Sequence, residues 1–162
     1  MQNKILDIYT DYLISQNKLA TATGLSDLLN CSLSHDKVTR FLHSGNYGSK
    51  ELWQYIKPLI RAQENTDHGV LIIDDTIEEK AYTDENEIIS WHYSYALGRH
   101  VKGVNLLSAL IRYGEVSIPV CYEIIKKDVN YFDPKTQKAK RKSSVTKNEL
   151  FRKLIKQVQG MI

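Results

Sequence analysis

The sequence predicts a mixed α and β chain: a helical N-terminal region, then a small sheet of three strands, then a closing helix. Three observations lead there. Apolar residues recur at helical spacing through the first sixty residues. A short apolar run at 70–73 and two longer runs at 103–113 and 115–125, rich in Val, Leu and Ile, then break that spacing. An amphipathic segment follows at 146–160. This order predicts a helical region over 1–64 and an α/β region over 65–162.

In the first region, Ile5, Leu6, Ile8, Tyr9, Tyr12 and Leu13 mark a helix over 3–16. The stretch Ala20-Thr21-Ala22-Thr23-Gly24 is expected to break it, and Ser26 to cap a short helix running to about Asn30. Ser32 or Ser34 then caps a helix from His35 to His43, which ends at the glycines of 44–48. Ser49 opens another, with Leu52, Trp53, Tyr55, Ile56, Leu59 and Ile60 as its apolar set and Pro58 as an expected kink.

In the second region, Val70-Leu71-Ile72-Ile73 has no alternation and reads as a strand buried on both faces, ending at Asp74-Asp75-Thr76. Residues 78–87 read as a solvated acidic loop, and the aromatic and basic segments 91–95 and 98–103 as loop. The turn signal Tyr113-Gly114-Glu115 joins 103–113 to 115–125 as an antiparallel hairpin, with Pro119 marking an edge strand or a bulge. Residues 128–145 read as a basic loop, and Thr146 caps the last helix. Three strands and one covering helix make half of an α/β layer, so the sheet is expected to be incomplete.

Composition narrows the class. The chain has 162 residues, of which 42% are hydrophobic and 25% charged, with three prolines, so it is neither disordered nor collagen-like. Cys31 and Cys121 form no CxxC pair, which argues against a zinc ribbon and a disulfide scaffold. With no long apolar run and no leader-like start, the expectation is a soluble protein of a reducing compartment. The net charge of +3 hides an asymmetry: residues 64–87 are strongly acidic and 126–156 strongly basic. A basic block of this kind suits a polyanion, most simply nucleic acid.

Two segments carry candidate chemistry. Residues 25–43 read as two short helices joined by a turn, like a helix-turn-helix, with Ser34, His35, Lys37, Thr39 and Arg40 on the outer face of the second. Such a face suits the major groove. Asp74 and Asp75 lie at the end of the 70–73 strand, and a carboxylate there suits Mg²⁺, which takes hard oxygen ligands. Successive strand residues point to opposite faces, so the two cannot serve one ion equally. Around Trp91-His92-Tyr93-Ser94-Tyr95 and Gly98 to Gly103, rings interleave with Arg99 and Lys102, which suits bases and phosphates. Lys140, Arg141 and Lys142 add a basic cluster.

Three runs together resemble the bacterial insertion-sequence transposases of the DDE type: Leu71-Ile-Ile-Asp-Asp-Thr-Ile-Glu-Glu-Lys80, Trp91-His-Tyr-Ser, and Leu97-Gly-Arg-His-Val-Lys-Gly-Val-Asn-Leu-Leu107. The resemblance covers about residues 20–162. It implies a ribonuclease-H-like catalytic domain, three acidic residues binding two Mg²⁺ or Mn²⁺ ions, and cleavage and joining of double-stranded DNA at transposon ends. It places the first catalytic acid directly before Thr76, at Asp75, with Asp74 as the fallback. The second Asp and the Glu belong to later elements, and Asp128, Asp133 and Glu149 fall in the wrong ones. The resemblance therefore implies the N-terminal portion of a transposase, inactive alone and located in the bacterial cytoplasm. It also implies a second role, as a truncated, non-catalytic protein that occupies transposon ends or pairs with full-length transposase. An open sheet edge favours self-association in either case.

Overall fold

The structure is a computed structural model that describes residues 2–17, 19–45, 47–64 and 68–161. Asn46, in the exit expected after the third helix, and residues 65–67, at the expected region boundary, lie outside the described residues. The chain divides into two compact units, Met1–Asn46 and Tyr47–Ile162. The division falls ahead of the fourth helix and not near residue 64. That helix buries its apolar face on the sheet, so it belongs with the second unit.

The first unit holds α1 (Gln2–Ser15), α2 (Ala22–Leu28) and α3 (His35–Ser44). Their core is Ile5, Tyr12, Leu25, Leu33, Val38 and Phe41. The stretch expected to break the chain instead starts α2. Thr21 is its cap, accepting from the Gly24 N–H at 3.0 Å, while Ser26, read as a cap, is buried inside the helix. A threonine in extended backbone three residues before a free N–H outcompetes the weak breaking tendency of Ala-Thr-Ala. Asn30 and Cys31 adopt left-handed backbone and turn the chain into α3, which Ser34 precedes.

The second unit begins with α4 (Ser49–Gln63), which passes Pro58 without interruption. The Gly48 N–H donates to the Glu51 carboxylate at 3.0 Å. Ser49 does not cap the helix by side chain. Its hydroxyl donates to the Tyr122 carbonyl (2.6 Å) and accepts from the Tyr122 N–H (2.8 Å). The strands are β1 (Val70–Glu79), β2 (Ile89–Ser94), β3 (Arg99–Tyr113), β4 (Val116–Ile124), β5 (Val129–Asp133) and β6 (Lys138–Lys142), and α5 (Lys147–Gln159) follows. Among the described residues there are thus five helices and six strands, in two antiparallel sheets. Three of those strands are absent from the sequence reading.

All pairing in the larger sheet runs through β3. β1 covers one edge, from Val70 opposite Arg112 to Glu79 opposite Gly103. The other edge is shared: β2 pairs residues 99–104 and β4 pairs 106–113. The expected hairpin is present as β3–β4, turning at Gly114 with a positive φ, and its register shifts between Ala109 and Leu110, opposite Cys121 and Pro119. Pro119 thus sits at a bulge on a strand that pairs on one side only, where its missing N–H costs little.

From Val101 onward, odd-numbered residues of β3 point to one face and are buried; even-numbered ones point to the other and are half-exposed or exposed. On the buried face, Leu107, Ala109, Ile111, Ile118 and Val120 meet Ile56 and Ile60 of α4 and Leu154 and Val158 of α5. β1 is not buried on both faces. Only Ile73 and Ile77 are half-buried, because β1 is an outer strand among the described residues and the helices lie on one face only. It also runs on to Glu79, so the aspartate pair sits within the strand and not at its end.

The smaller sheet is the β5–β6 hairpin, in place of the expected loop. Asp133 builds its turn by accepting from the Lys135 N–H (3.0 Å) and the Thr136 hydroxyl (2.8 Å), ahead of Gln137 at positive φ. These bonds and Lys140 hold the Asp133 carboxyl down at about 2, the Lys140 contact being the largest cause. Asp128 closes the open end, accepting from the Ser144 N–H (2.8 Å) and hydroxyl (2.5 Å). The acidic stretch ahead of β2 pairs with this basic one through Glu87–Lys126 (3.4 Å) and Glu85–Arg141 (3.9 Å). Such exposed pairs are worth at most about 1 kcal/mol each.

Gly103 explains itself by close approach. A Cβ there would lie 2.2 Å from the Glu78 carbonyl oxygen, which is backbone and cannot step aside. Gly103→Ala should therefore loosen the β1–β3 ladder and cost about 1–3 kcal/mol. Urea unfolding of the two proteins measures it, and unchanged stability would contradict the register.

Candidate functional site

The site is assembled on the helix-covered face, where the sheet turns polar. Cross-strand partners share a face. Asp75 lies opposite Leu107, on the side packed against α4 and α5; Asp74 lies opposite Ser108, on the other side. Alternation thus separates the two carboxylates. Asp74 accepts from the Asp75 N–H at 2.9 Å, a purely local bond.

Around Asp75 stand Lys147 from the first turn of α5, Asn105 from β3, and Ser90 and His92 from β2. Lys147 forms an ion pair with the Asp75 carboxylate. That contact is the main cause holding the Asp75 carboxyl below the usual carboxylate range; the Asn105 amide and His92 add to it, and burial opposes it. Thr146 fixes where Lys147 stands. Its hydroxyl accepts from the Glu149 N–H at 3.2 Å while Glu149 accepts from the Thr146 N–H at 2.8 Å, a reciprocal cap that starts α5 at Lys147.

Ser90 and Asn105 are fully buried and His92 is 6% exposed. The Ser90 hydroxyl and His92 Nε2 are 3.1 Å apart. Burial first, then the charges of Lys127 and Lys147, push the His92 imidazole down to about 4, so it is neutral at pH 7. Neither the amide nitrogen nor the oxygen of Asn105 makes a well-formed hydrogen bond. A fully buried amide with both ends unpaired is a cost of about 1–3 kcal/mol, of the kind found where a site awaits a ligand.

A divalent cation fits part of this donor set. The Asp75 carboxylate and the Asn105 amide oxygen are hard oxygen donors, and Mg²⁺ commonly takes one or two protein carboxylates and keeps several waters. Among the described residues, however, no three His, Cys, Asp or Glu side chains cluster so as to hold a metal.

The sequence-level DNA contacts fall in separate places. Ser34, His35, Lys37, Thr39 and Arg40 are all exposed, at the start and outer face of α3 in the first unit. His35 contacts Asp36 at 3.2 Å, and Arg40 Nε donates to the Asp36 carbonyl. In the second unit, Arg99 pairs with Glu79 (3.3 Å), Lys102 is half-buried on β3, Lys140 pairs with Asp133, and Lys142 lies 5.6 Å above the Tyr131 ring. Arg141 reaches toward Glu85. Sequence reasoning missed Asn105, Ser90, His92 and Lys147 as neighbours of Asp75. The signal for β2 was present but inverted: Ile89 to Ser94 alternates with polar residues inward and Trp91 and Tyr93 outward.

A helix-backed antiparallel sheet with an acidic residue held inside its first strand makes the second unit a mixed α+β domain. The family model described as DDE superfamily endonuclease matches residues 1–161, and the chain belongs to that family. Its members are transposase-like nucleases that act on DNA and generally use divalent metal ions. No curated protein and no solved structure matches the chain. Among the described residues, no helix is long and apolar enough to cross a membrane.

The His92 environment sets a pH dependence. Its folded value, about 4, lies below the unfolded value of about 6.5. The unfolded chain therefore binds the proton first as pH falls, and stability is full above about 6.5 and declines between there and about 4. The shift corresponds to about 3 kcal/mol. His92→Gln should flatten that limb in pH-dependent urea unfolding; an unaltered limb would assign the decline to other groups.

Proposed function

We propose that this chain provides the strand-borne first carboxylate and the DNA-binding surface of an insertion-sequence transposase, with Asp75 as the metal ligand. The observation that carries the reading is Asp75 itself. It is the carboxylate on the helix-covered face, beside the unpaired amide of Asn105 and held ionised by Lys147. A bound Mg²⁺ or Mn²⁺ would supply Lewis-acid stabilisation of charge on a phosphodiester and its attacking oxygen.

The chain's own residues do the rest. Lys147 keeps the Asp75 carboxyl deprotonated and in place, and its ammonium stands where a cation is wanted. Neutral His92 and Ser90 fill the wall behind Asp75 without adding a like charge. Asn105 presents an amide with free capacity to donate or accept. In the first unit, α3 offers Ser34, His35, Lys37, Thr39 and Arg40 to double-stranded DNA as the second helix of a helix-turn-helix. The β5–β6 hairpin offers Lys140, Arg141 and Lys142 to phosphates.

A second reading is a protein that occupies transposon ends without cutting them, alone or paired with a complete transposase. What favours it is that Asp75 has no cluster of further metal-ligating side chains around it among the described residues. Incubation of transposon-end DNA with Mg²⁺ separates the two: nicking that is lost in Asp75→Asn supports the first, and tight binding without nicking supports the second.

Two measurements test the assignments within either reading. Mn²⁺ should broaden the amide signals around Asp75 and Asn105 in the wild type and in Asp74→Asn, but not in Asp75→Asn; equal broadening in all three would remove Asp75 as ligand. Changing Lys37 and Arg40 together to alanine should weaken duplex binding about tenfold or more and lower the log–log salt slope by about two units. Unchanged affinity in a mobility-shift titration would sink the role of α3.

A further inference from the structure

Beside β2, the second unit holds a cavity of about 480 Å³ between the main sheet and the β5–β6 hairpin. Trp91, His100 and Tyr131 give it ring-bearing walls, and Lys127 and Arg141 give it cations, with Glu85 at its margin. The volume is in the range of small-ligand sites. Trp91 is 52% exposed, so its ring is open to a ligand; the Lys127 ammonium, donating to the Trp91 carbonyl, ties that strand to the segment leading into β5. Glu85 stands 3.9 Å from Arg141, close enough to orient the guanidinium but too loosely to consume it.

We propose that this cavity takes one unpaired nucleotide of the DNA substrate, its base against Trp91 and its phosphate on Lys127 and Arg141. The inference rests on the DNA reading above and adds to it. A paired duplex offers phosphates and base edges, and hides the faces of its bases in the stack. Aromatic walls have nothing to meet on such a surface. An unpaired nucleotide offers a base face to the rings and a phosphate to the cations at once, and both features are used in single-strand recognition. Lys127 also joins the cavity to the candidate site, since its charge is among the causes that depress His92 beside Asp75.

The test compares two labelled duplexes of one sequence, one fully paired and one carrying a single unpaired overhanging nucleotide, titrated with the full chain by fluorescence anisotropy. The overhang should bind about tenfold tighter. Trp91→Ala should abolish that preference while leaving affinity for the paired duplex unchanged, and Trp91→Phe should keep most of it. Because Trp53 packs against the sheet–helix core, quenching of tryptophan emission by the overhang should vanish in Trp91→Phe and survive in Trp53→Phe. Equal affinity for the two duplexes, or a preference that persists in Trp91→Ala, would overturn the pocket and leave the DNA reading standing. Binding of neither duplex would overturn both. Binding of a free mononucleotide in a Trp91-dependent manner, without any overhang preference, would reassign the cavity to a soluble nucleotide and overturn the proposal as well.

Discussion

The fifteen-residue strand β3 is what the second unit hangs on. Among the described residues it is the sole strand partner of β1, β2 and β4, so every ladder of the larger sheet is one of its edges. Its alternation decides which side chain of each neighbour faces α4 and α5, because cross-strand partners share a face. A slip of one residue in this strand would exchange the two faces throughout the sheet. Gly103 and Gly114 guard that register at two points, one by close approach to Glu78 and one by a left-handed turn.

Along β3 the buried face changes character. From Leu107 to Tyr113 it is apolar and packed on the helices; at Asn105 and Gly103 it turns polar, and β2 continues it with Ser90 and His92. The cost of desolvating these groups falls where Asp75 enters from the opposite edge and Lys147 from the start of α5. Local patterning is broken here, and such departures from consistent patterning often carry functional meaning. The neutral imidazole follows first from burial, whereas the depressed carboxyl follows from the Lys147 contact, which outweighs the opposing effect of burial.

Acidic and basic blocks that look like separate surfaces in the sequence turn out to be partly each other's partners. Glu85 and Glu87 meet Arg141 and Lys126. These pairs are exposed and weak, so they orient the β5–β6 hairpin more than they stabilise it. Lys142 lies instead over the Tyr131 ring.

The sequence by itself determined the elements whose periodicity coincides with burial. The helices from Ser49 and Thr146 onward and the β3–β4 hairpin follow from apolar spacing and the Tyr113-Gly114-Glu115 turn. It did not reveal β2, whose inward residues are polar, or β5 and β6, whose stability comes from turn and end contacts at Asp133 and Asp128 and not from an apolar face. It also misplaced the start of α2, because capping by Thr21 is a matter of backbone geometry. Which aspartate faces the helices, which groups surround it, and that α4 belongs with the sheet were decided only by tertiary structure. Each depends on register and packing between residues far apart in the chain, and no local pattern encodes the pairing of Asp75 with Leu107 or its meeting with Lys147.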